Sequence, residues 1–409
     1  MSRKKILILS YSSLHTDPRI KRQIRFLQNS FDISTLGYTA PTESNIKHYS
    51  IIGKEITFHY NYPKILRKIV SLGVKIYHLF FPKNIQLENK IDFLETNYEK
   101  RYWEETEKGM LKSNLLFLKN NNFDFIIANE MDTLPLALKI AKPNTKVWVD
   151  LHEYEPKQFE DDLEWVEKYQ KYKEYLCEVY LPKATIVSTV CHGIAEEYAK
   201  IFKIPMPIII TNSCNYYDLN PQVIDSNNIK MIHHGMANPS RKIELMIEMM
   251  DYLPENYSLD LMLVGTGEYY ESLKLLAEKK HRVRFLLPIP TDEIANFINK
   301  YDIGLYILVP SSFNNFHALP NKLFEFIQAR LAIAISPSPE MAAIVQKYDL
   351  GVVSEDFTAE KLANKIKNIS IEKLNQYKQN SHQVAFELSS EKNKELMLST
   401  IEKLLDSSN

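Results

Sequence analysis

The stretch "IKMIHHGMANPSRKIELMIEMMDYL", residues 229–253, decides how this chain is built. IKMIHHG reads as a β-strand, MANPS as a loop and RKIELMIEMMDYL as a helix. The same succession opens the chain: KILILS (5–10), YSSLHTD (11–17) and PRIKRQIRFLQ (18–28). Strand–loop–helix units in series give parallel sheets with helices on both faces. Two such openings mark two similar halves rather than one large sheet. FDISTLGY, FDFIIANE, KVWVDLHE, ATIVSTV and PIIITN supply the further strands of the first half. LDLMLV, VRFLLPI, DIGLYIL, LAIAIS and GVVS supply those of the second. Between the halves, SCNYYDLNPQVIDSNN (213–228) is polar and rich in turn formers, and reads as a linker. The expected fold class is therefore α/β. The expected domains span 1–212 and 228–385, with a last helical segment at 386–409.

Composition fits this picture. A chain of 409 residues is too long for one typical domain. A net charge of -1 gives no general attraction to nucleic acid, so none is expected as a partner. Cys177, Cys191 and Cys214 stand far apart with no C-x-x-C, which argues against a disulfide framework or a zinc site and for a reducing cytosol. MSRKKILILSYSS is too short to span a membrane and lacks a signal-peptide cleavage pattern. No other apolar run reaches transmembrane length, so a cytoplasmic protein is expected. KILRKIVSLGVKIYHLFFPKN (64–84) spaces Lys64, Arg67, Lys68, Lys75 and Lys83 among apolar residues. It reads either as a helix lying peripherally on an anionic membrane face or as a helix packed on its own domain with a basic outer side.

Ligands of open parallel sheets bind outside the carboxyl ends of the strands. That rule selects Ser12, Ser13, His15, Asp17, Glu130, Asp132, His152 and Glu153 in the first half. In the second it selects Gly235 to Arg241, Gly265 to Glu268, and the loop from Val309 to Lys322. In HALPNKLFEFIQARLAIAIS (317–336), Pro320 suits the first position of a helix. Lys322 then enters the first turn with no acid beside it. That sign is wrong for the positive helix end, by about 0.3–1 kcal/mol. Leu323, Phe324, Phe326 and Ile327 share one face; Asn321, Lys322, Glu325 and Ala329 share the other. Either the second face is solvated, or an anion belongs there. Arg241, read as lying just inside its own helix, repeats the anomaly. Two such cations in one domain favour a shared phosphate or diphosphate.

Glu325 is either an i, i+3 partner of Lys322 or an acceptor for the hydroxyl pair of a ribose. GTGE (265–268) lets backbone approach a ligand but is a weak signal. His152 at a strand end could hydrogen-bond a substrate hydroxyl, or be structural. Asp17 is explained as the N-cap of a helix opened by Pro18. The sequence shows no G-x-S-x-G, P-loop lysine motif or H-E-x-x-H, and no metal-ligand cluster.

The segments HTDPRIKRQIRFL, DLHEYEP, PIIITNSCNY, LVGTGEYYESLKLLA and, most specifically, ALPNKLFEFIQARLAIAISPSPEMAAIV resemble the retaining GT-B glycosyltransferases of glycosyltransferase family 4 over nearly the whole chain. The resemblance implies two Rossmann-like domains whose sheets face a cleft, with the last helix crossing back to the first domain. It implies a nucleotide-sugar donor, with His152, Arg241 and Lys322 as the catalytic set. Donor binding would involve Gly235, Gly265, Gly267, His317, Asn321, Lys322 and Glu325. The acceptor, a glycan or lipid-linked molecule, would meet Ser12, Ser13, His15 and Asp132. No cofactor or metal is implied, since the nucleotide-sugar is itself a substrate. Two departures stand out. Where the family commonly carries a glutamate eight positions before Glu325, this chain has His317. Where its first loop often carries a glycine pair, this chain has SYSSLHTD. The competing readings are an epimerase or hydrolase of nucleotide-sugars on the same fold, and a non-catalytic nucleotide-binding partner subunit.

Overall fold

The computed structural model describes residues 3–43, 45–51, 97–109 and 121–406. The basic segment at 64–84 lies outside these. The chain falls into two compact units, 1–149 with 174–185, and 150–173 with 186–409.

The strands of the first sheet are β1 (Lys5–Leu9), β2 (Asp32–Gly37), β3 (Lys47–Ser50), β4 (Phe125–Asn129), β5 (Lys146–Leu151), β6 (Ile186–Thr189) and β7 (Ile208–Ile209). They lie in the order β3-β2-β1-β4-β5-β6-β7. The second sheet holds β8 (Ile229–Met236), β9 (Tyr257–Val264), β10 (Val283–Leu286), β11 (Ile303–Tyr306), β12 (Ala332–Ile335) and β13 (Gly351–Val353). Its order is β10-β9-β8-β11-β12-β13, and every pairing in it is parallel. Both orders reverse beside the first strand of the sheet, the doubly wound pattern that places ligands at the reversal.

Each strand read from the sequence is present, because strands buried on both faces are near-continuous apolar runs. Ile6 to Leu9 and Phe125 to Ala128, for example, are fully buried. The sequence reading omitted β3. Its KHYS is short and polar at the sheet edge, and of its residues only Tyr49 is buried.

The helices that matter for the site are α1 (Pro18–Leu27), α2 (His192–Phe202), α3 (Glu268–Glu278), α4 (Phe313–Phe316), α5 (Asn321–Gln328), α6 (Pro339–Lys347) and α7 (Ser390–Asp406). Asp17 caps α1 as expected, its carboxylate accepting from the backbone N–H of Arg19 and Ile20 at 3.0 and 3.3 Å. Pro320 proves to be the residue preceding α5 rather than its first, with extended backbone and its carbonyl accepting from Leu323 N. The helix read at 241–253 is broken. Asn238 caps a short turn over Pro239–Arg241, Lys242 takes a left-handed conformation, and an α-helix runs only over Glu244–Glu248. Arg241 therefore stands before that helix rather than inside it. After α5, Arg330 is fully buried and donates to the carbonyls of Tyr217, Leu219 and Gln328, which ties residues 217–219 to the second sheet's helices.

Candidate active site

A cavity of about 650 Å³ opens in the second unit where β8 and β11 end. Gly235, Arg241, Asn321, Lys322 and Glu325 line it, and so do His152 and His317. The loops and helix starts at the carboxyl ends of these strands bring residues distant in sequence together, as the strand-order reversal requires. Gly265 and Gly267 do not line it; their neighbour Val264 does. Gly267 has φ +93° and nothing within 4 Å of where a side chain would begin.

The face of α5 that could have been solvated is buried. Lys322 is 6% exposed and Glu325 5%. A Cβ added to Gly235 would stand 3.2 Å from Lys322 Nζ and 3.7 Å from Arg241 Nη1, so both cations converge on that bare backbone. Gly235 also has φ +127°, a conformation side chains rarely adopt. Lys322 Nζ lies 3.9 Å from the centroid of the Tyr306 ring and 3.5 Å from His233 Nε2. His233 Nδ1 faces the Leu305 carbonyl at 2.9 Å. The carbonyl can only accept, so Nδ1 carries the proton and Nε2 is an acceptor for the ammonium.

Burial, and then the neighbouring Arg241, push the Lys322 ammonium well below the usual lysine range, while Glu325 acts in the opposite direction. Burial and then Lys322 push His233 far down, and His234 down to about 3. His234 Nε2 lies 3.4 Å from Glu325 Oε2 without hydrogen-bonding alignment. Since both histidines are kept neutral, the only cations among these groups are Lys322 and Arg241. An added anion would relieve their repulsion and favour the charged lysine.

On another part of the lining, His152 Nε2 is 3.7 Å from Asp150 Oδ2, and Ser188 Oγ donates to Asp150 Oδ1 at 2.7 Å. His317 ends α4, with Nδ1 3.1 Å from Glu340 Oε1 of α6. Met236, Val264, Pro288 and Ile289 give the cavity an apolar side. Met236 and Val264 are more than half exposed. Sequence reasoning gave no site role to His234, Tyr306, Val264, Pro288 or Ile289, though Met236 falls within the selected span Gly235 to Arg241. The one available signal was an apolar residue placed at a strand's outer end, where solvent would otherwise lie.

The remaining candidates gather in the first unit. Ser12 Oγ donates to Asp17 Oδ2 at 2.8 Å, and His15 Nδ1 meets Thr39 Oγ1 at 2.8 Å. Ser13 bridges to Thr39. The carbonyl of Asp132 accepts from Tyr102 O–H at 2.7 Å, and Tyr102 O–H lies 3.4 Å from that of Tyr11. These residues follow β1 and β4, at the reversal of the first sheet. Burial pushes the Tyr11 phenol up to about 12.

Among the described residues, no group of three His, Cys, Asp or Glu side chains could hold a metal ion. No described helix is long and apolar enough to cross a membrane.

The family described as "Glycosyl transferases group 1" matches residues 218–384, the segment that carries the converging cations. This segment is similar to the group 1 glycosyl transferases. Solved structures extend the likeness in fold to the whole chain. Sucrose-phosphate synthase (tll1590) from Thermosynechococcus elongatus superposes with TM-score 0.68 at 12% identity, over 99% of this chain and 100% of that one. A glycosyltransferase from Rickettsia africae ESF-5 gives 0.66 at 13% identity, over 99% of both chains. Anabaena Alr3699/HepE in complex with UDP gives 0.64 at 13% identity, over 98% of this chain and 100% of that one. No curated protein matches the sequence. The segment similar to the group 1 glycosyl transferases includes Gly235, Arg241, His317, Asn321, Lys322 and Glu325.

Proposed function

We propose that this protein transfers a sugar, with retention, from a nucleotide-sugar to a glycan or lipid-linked acceptor. The observation that carries the reading is the convergence of Arg241 and Lys322 on Gly235 inside a cavity that α5 enters with its positive end. A nucleoside diphosphate supplies the negative charge that this arrangement lacks. As the bond from the sugar to phosphate breaks, charge grows on the departing diphosphate. Preplaced cations in a site shielded from water stabilise that charge more than water does.

Glu325 accepts hydrogen bonds from the ribose, and the apolar side at Met236, Val264 and Ile289 takes the base. His152 and His317 stand at the sugar, with Gly265 and Gly267 near the nucleotide. The acceptor lies against Ser12, Ser13, His15 and Asp132. In this reading residues 1–212 bind acceptor and 228–385 bind donor, and the protein works in the cytoplasm, peripherally on a membrane through 64–84. The likeness to HepE, solved with UDP, supports the diphosphate assignment.

Isothermal titration with UDP, GDP and other nucleoside diphosphates tests the site. Arg241→Ala and Lys322→Ala should each weaken the best binder at least tenfold. Unchanged affinity in both variants would refute it. Incubating the donor alone separates transfer from isomerisation or rapid hydrolysis.

A further inference from the structure

The cavity contains a linked group that the diphosphate assignment leaves unused. Glu340, in the first turn of α6, accepts from the backbone N–H of Gly193 at 2.8 Å and of His192 at 3.2 Å, one oxygen for each. Those amides begin α2. The oxygen that meets Gly193 also faces His317 Nδ1 at 3.1 Å. The imidazole is held between Phe313 and Phe316, at centroid distances of 4.6 and 4.9 Å. Cys191 Sγ donates to the His317 carbonyl at 3.2 Å. Gly193 is what lets these parts meet: a Cβ there would stand 2.0 Å from His317 Nδ1 and 2.5 Å from Glu340 Oε1.

Hydrogen-bond polarity then fixes the ring. A carboxylate oxygen only accepts, so the proton between it and His317 belongs to Nδ1. A neutral imidazole protonated at Nδ1 keeps a lone pair on Nε2. Nε2 is the ring's remaining polar atom, on a residue that lines the cavity. A sugar hydroxyl is a donor of matching polarity. Ring packing and the Gly193 contact remove the alternative orientations that a free histidine would sample.

We propose that Glu340 is a positioning residue that acts through His317, fixing the Nδ1–H tautomer so that Nε2 accepts a hydrogen bond from a hydroxyl of the donor sugar. A neutral acceptor thereby stands where the related family commonly has a carboxylate. The inference rests on the nucleotide-sugar reading above. It goes beyond it by assigning one sugar contact and the residue that orients it.

The test uses the full chain and two readouts. Titration with UDP against UDP-glucose, and with GDP against GDP-mannose, isolates the gain in affinity due to the sugar. Glu340→Gln should leave binding of the bare diphosphate within about twofold. It should also keep most of the gain due to the sugar, because its amide oxygen can still accept from Nδ1. Glu340→Ala should lower nucleotide-sugar affinity about fivefold, the size of one lost neutral hydrogen bond. Nitrogen-15 spectra of histidine-labelled protein, with the His317 signal identified by its loss in His317→Gln, should show the Nδ1–H form in the wild type. In Glu340→Ala that form should be lost. A wild-type His317 that carries a proton on Nε2, with or without one on Nδ1, or a sugar gain that survives Glu340→Ala, overturns the proposal. Absence of any binding to the diphosphates would instead overturn the nucleotide-sugar reading, and the tautomer measurement would still decide the role of Glu340.

Discussion

Replacing Lys322 with methionine keeps an unbranched apolar stem of similar length and removes one buried charge. Holding a buried ion costs several kcal/mol after relaxation, and Arg241 adds repulsion. Three contacts work against that penalty. The Tyr306 face at 3.9 Å contributes up to about 2 kcal/mol. The 3.5 Å contact with His233 is long and adds about 1 kcal/mol at most. Glu325 helps as well. The penalty wins, so Lys322→Met should stabilise the ligand-free protein by about 1–2 kcal/mol. In a unit of this size that raises the melting temperature by roughly 2–4 °C. The pH dependence follows the same sign. The folded-state value lies below the unfolded one, so between the two the unfolded chain binds more protons. Wild-type stability therefore rises with pH across that window, up to about 10.4, and the methionine variant lacks that rise. Diphosphate binding should fall by the worth of a charged hydrogen bond, about 1.5–3 kcal/mol, or roughly ten- to 150-fold. Calorimetric melting and titration on one preparation read both effects. A variant that melts below the wild type and binds diphosphate as well as it does would show that Lys322 is structural and would sink the argument.

Gly235→Ala places a methyl group among the two cations at a backbone angle that costs about 1–3 kcal/mol. It should lower the melting temperature by several degrees and weaken diphosphate binding about tenfold; unchanged values for both would show that Lys322 and Arg241 have room to spare. Neutralising Lys64, Arg67, Lys68 and Lys75 together should reduce sedimentation with vesicles containing anionic phosphatidylserine by at least tenfold, since each basic residue near such a surface contributes about 1 kcal/mol. Binding that is weak and equal in both proteins would leave residues 64–84 without a membrane role.

The fold was legible because buried parallel strands carry their own signature. IKMIHHG, DIGLYIL and LAIAIS are apolar runs that only a sheet covered on both faces accommodates. KHYS escaped because a short edge strand is mostly polar, whereas the central strands are mostly apolar. The burial of Lys322 among converging cations was signalled by a contradiction, a lysine at a helix end that prefers anions. Glu340 could not be read. Its side chain caps another helix and holds a histidine 23 positions away, and pairing across such a distance leaves no periodicity. Arg241 was read as a cation inside a helix's positive end, but it stands before the helix, beside Gly235 and Lys322. A left-handed lysine after Pro239–Arg241 has no strong sequence signature, whereas glycine at that position would have announced it.

The meeting of Arg241 and Lys322 above bare backbone has a consequence for how the protein rests between turnovers. Two like charges held together attract counter-ions, and free phosphate or sulfate meets that need as a diphosphate does. Under the proposed function, donor arrival is then an exchange in which a small anion leaves as the nucleotide enters. Apparent affinity becomes a property of the medium as much as of the chain: in phosphate buffer the donor competes, and in chloride it competes less.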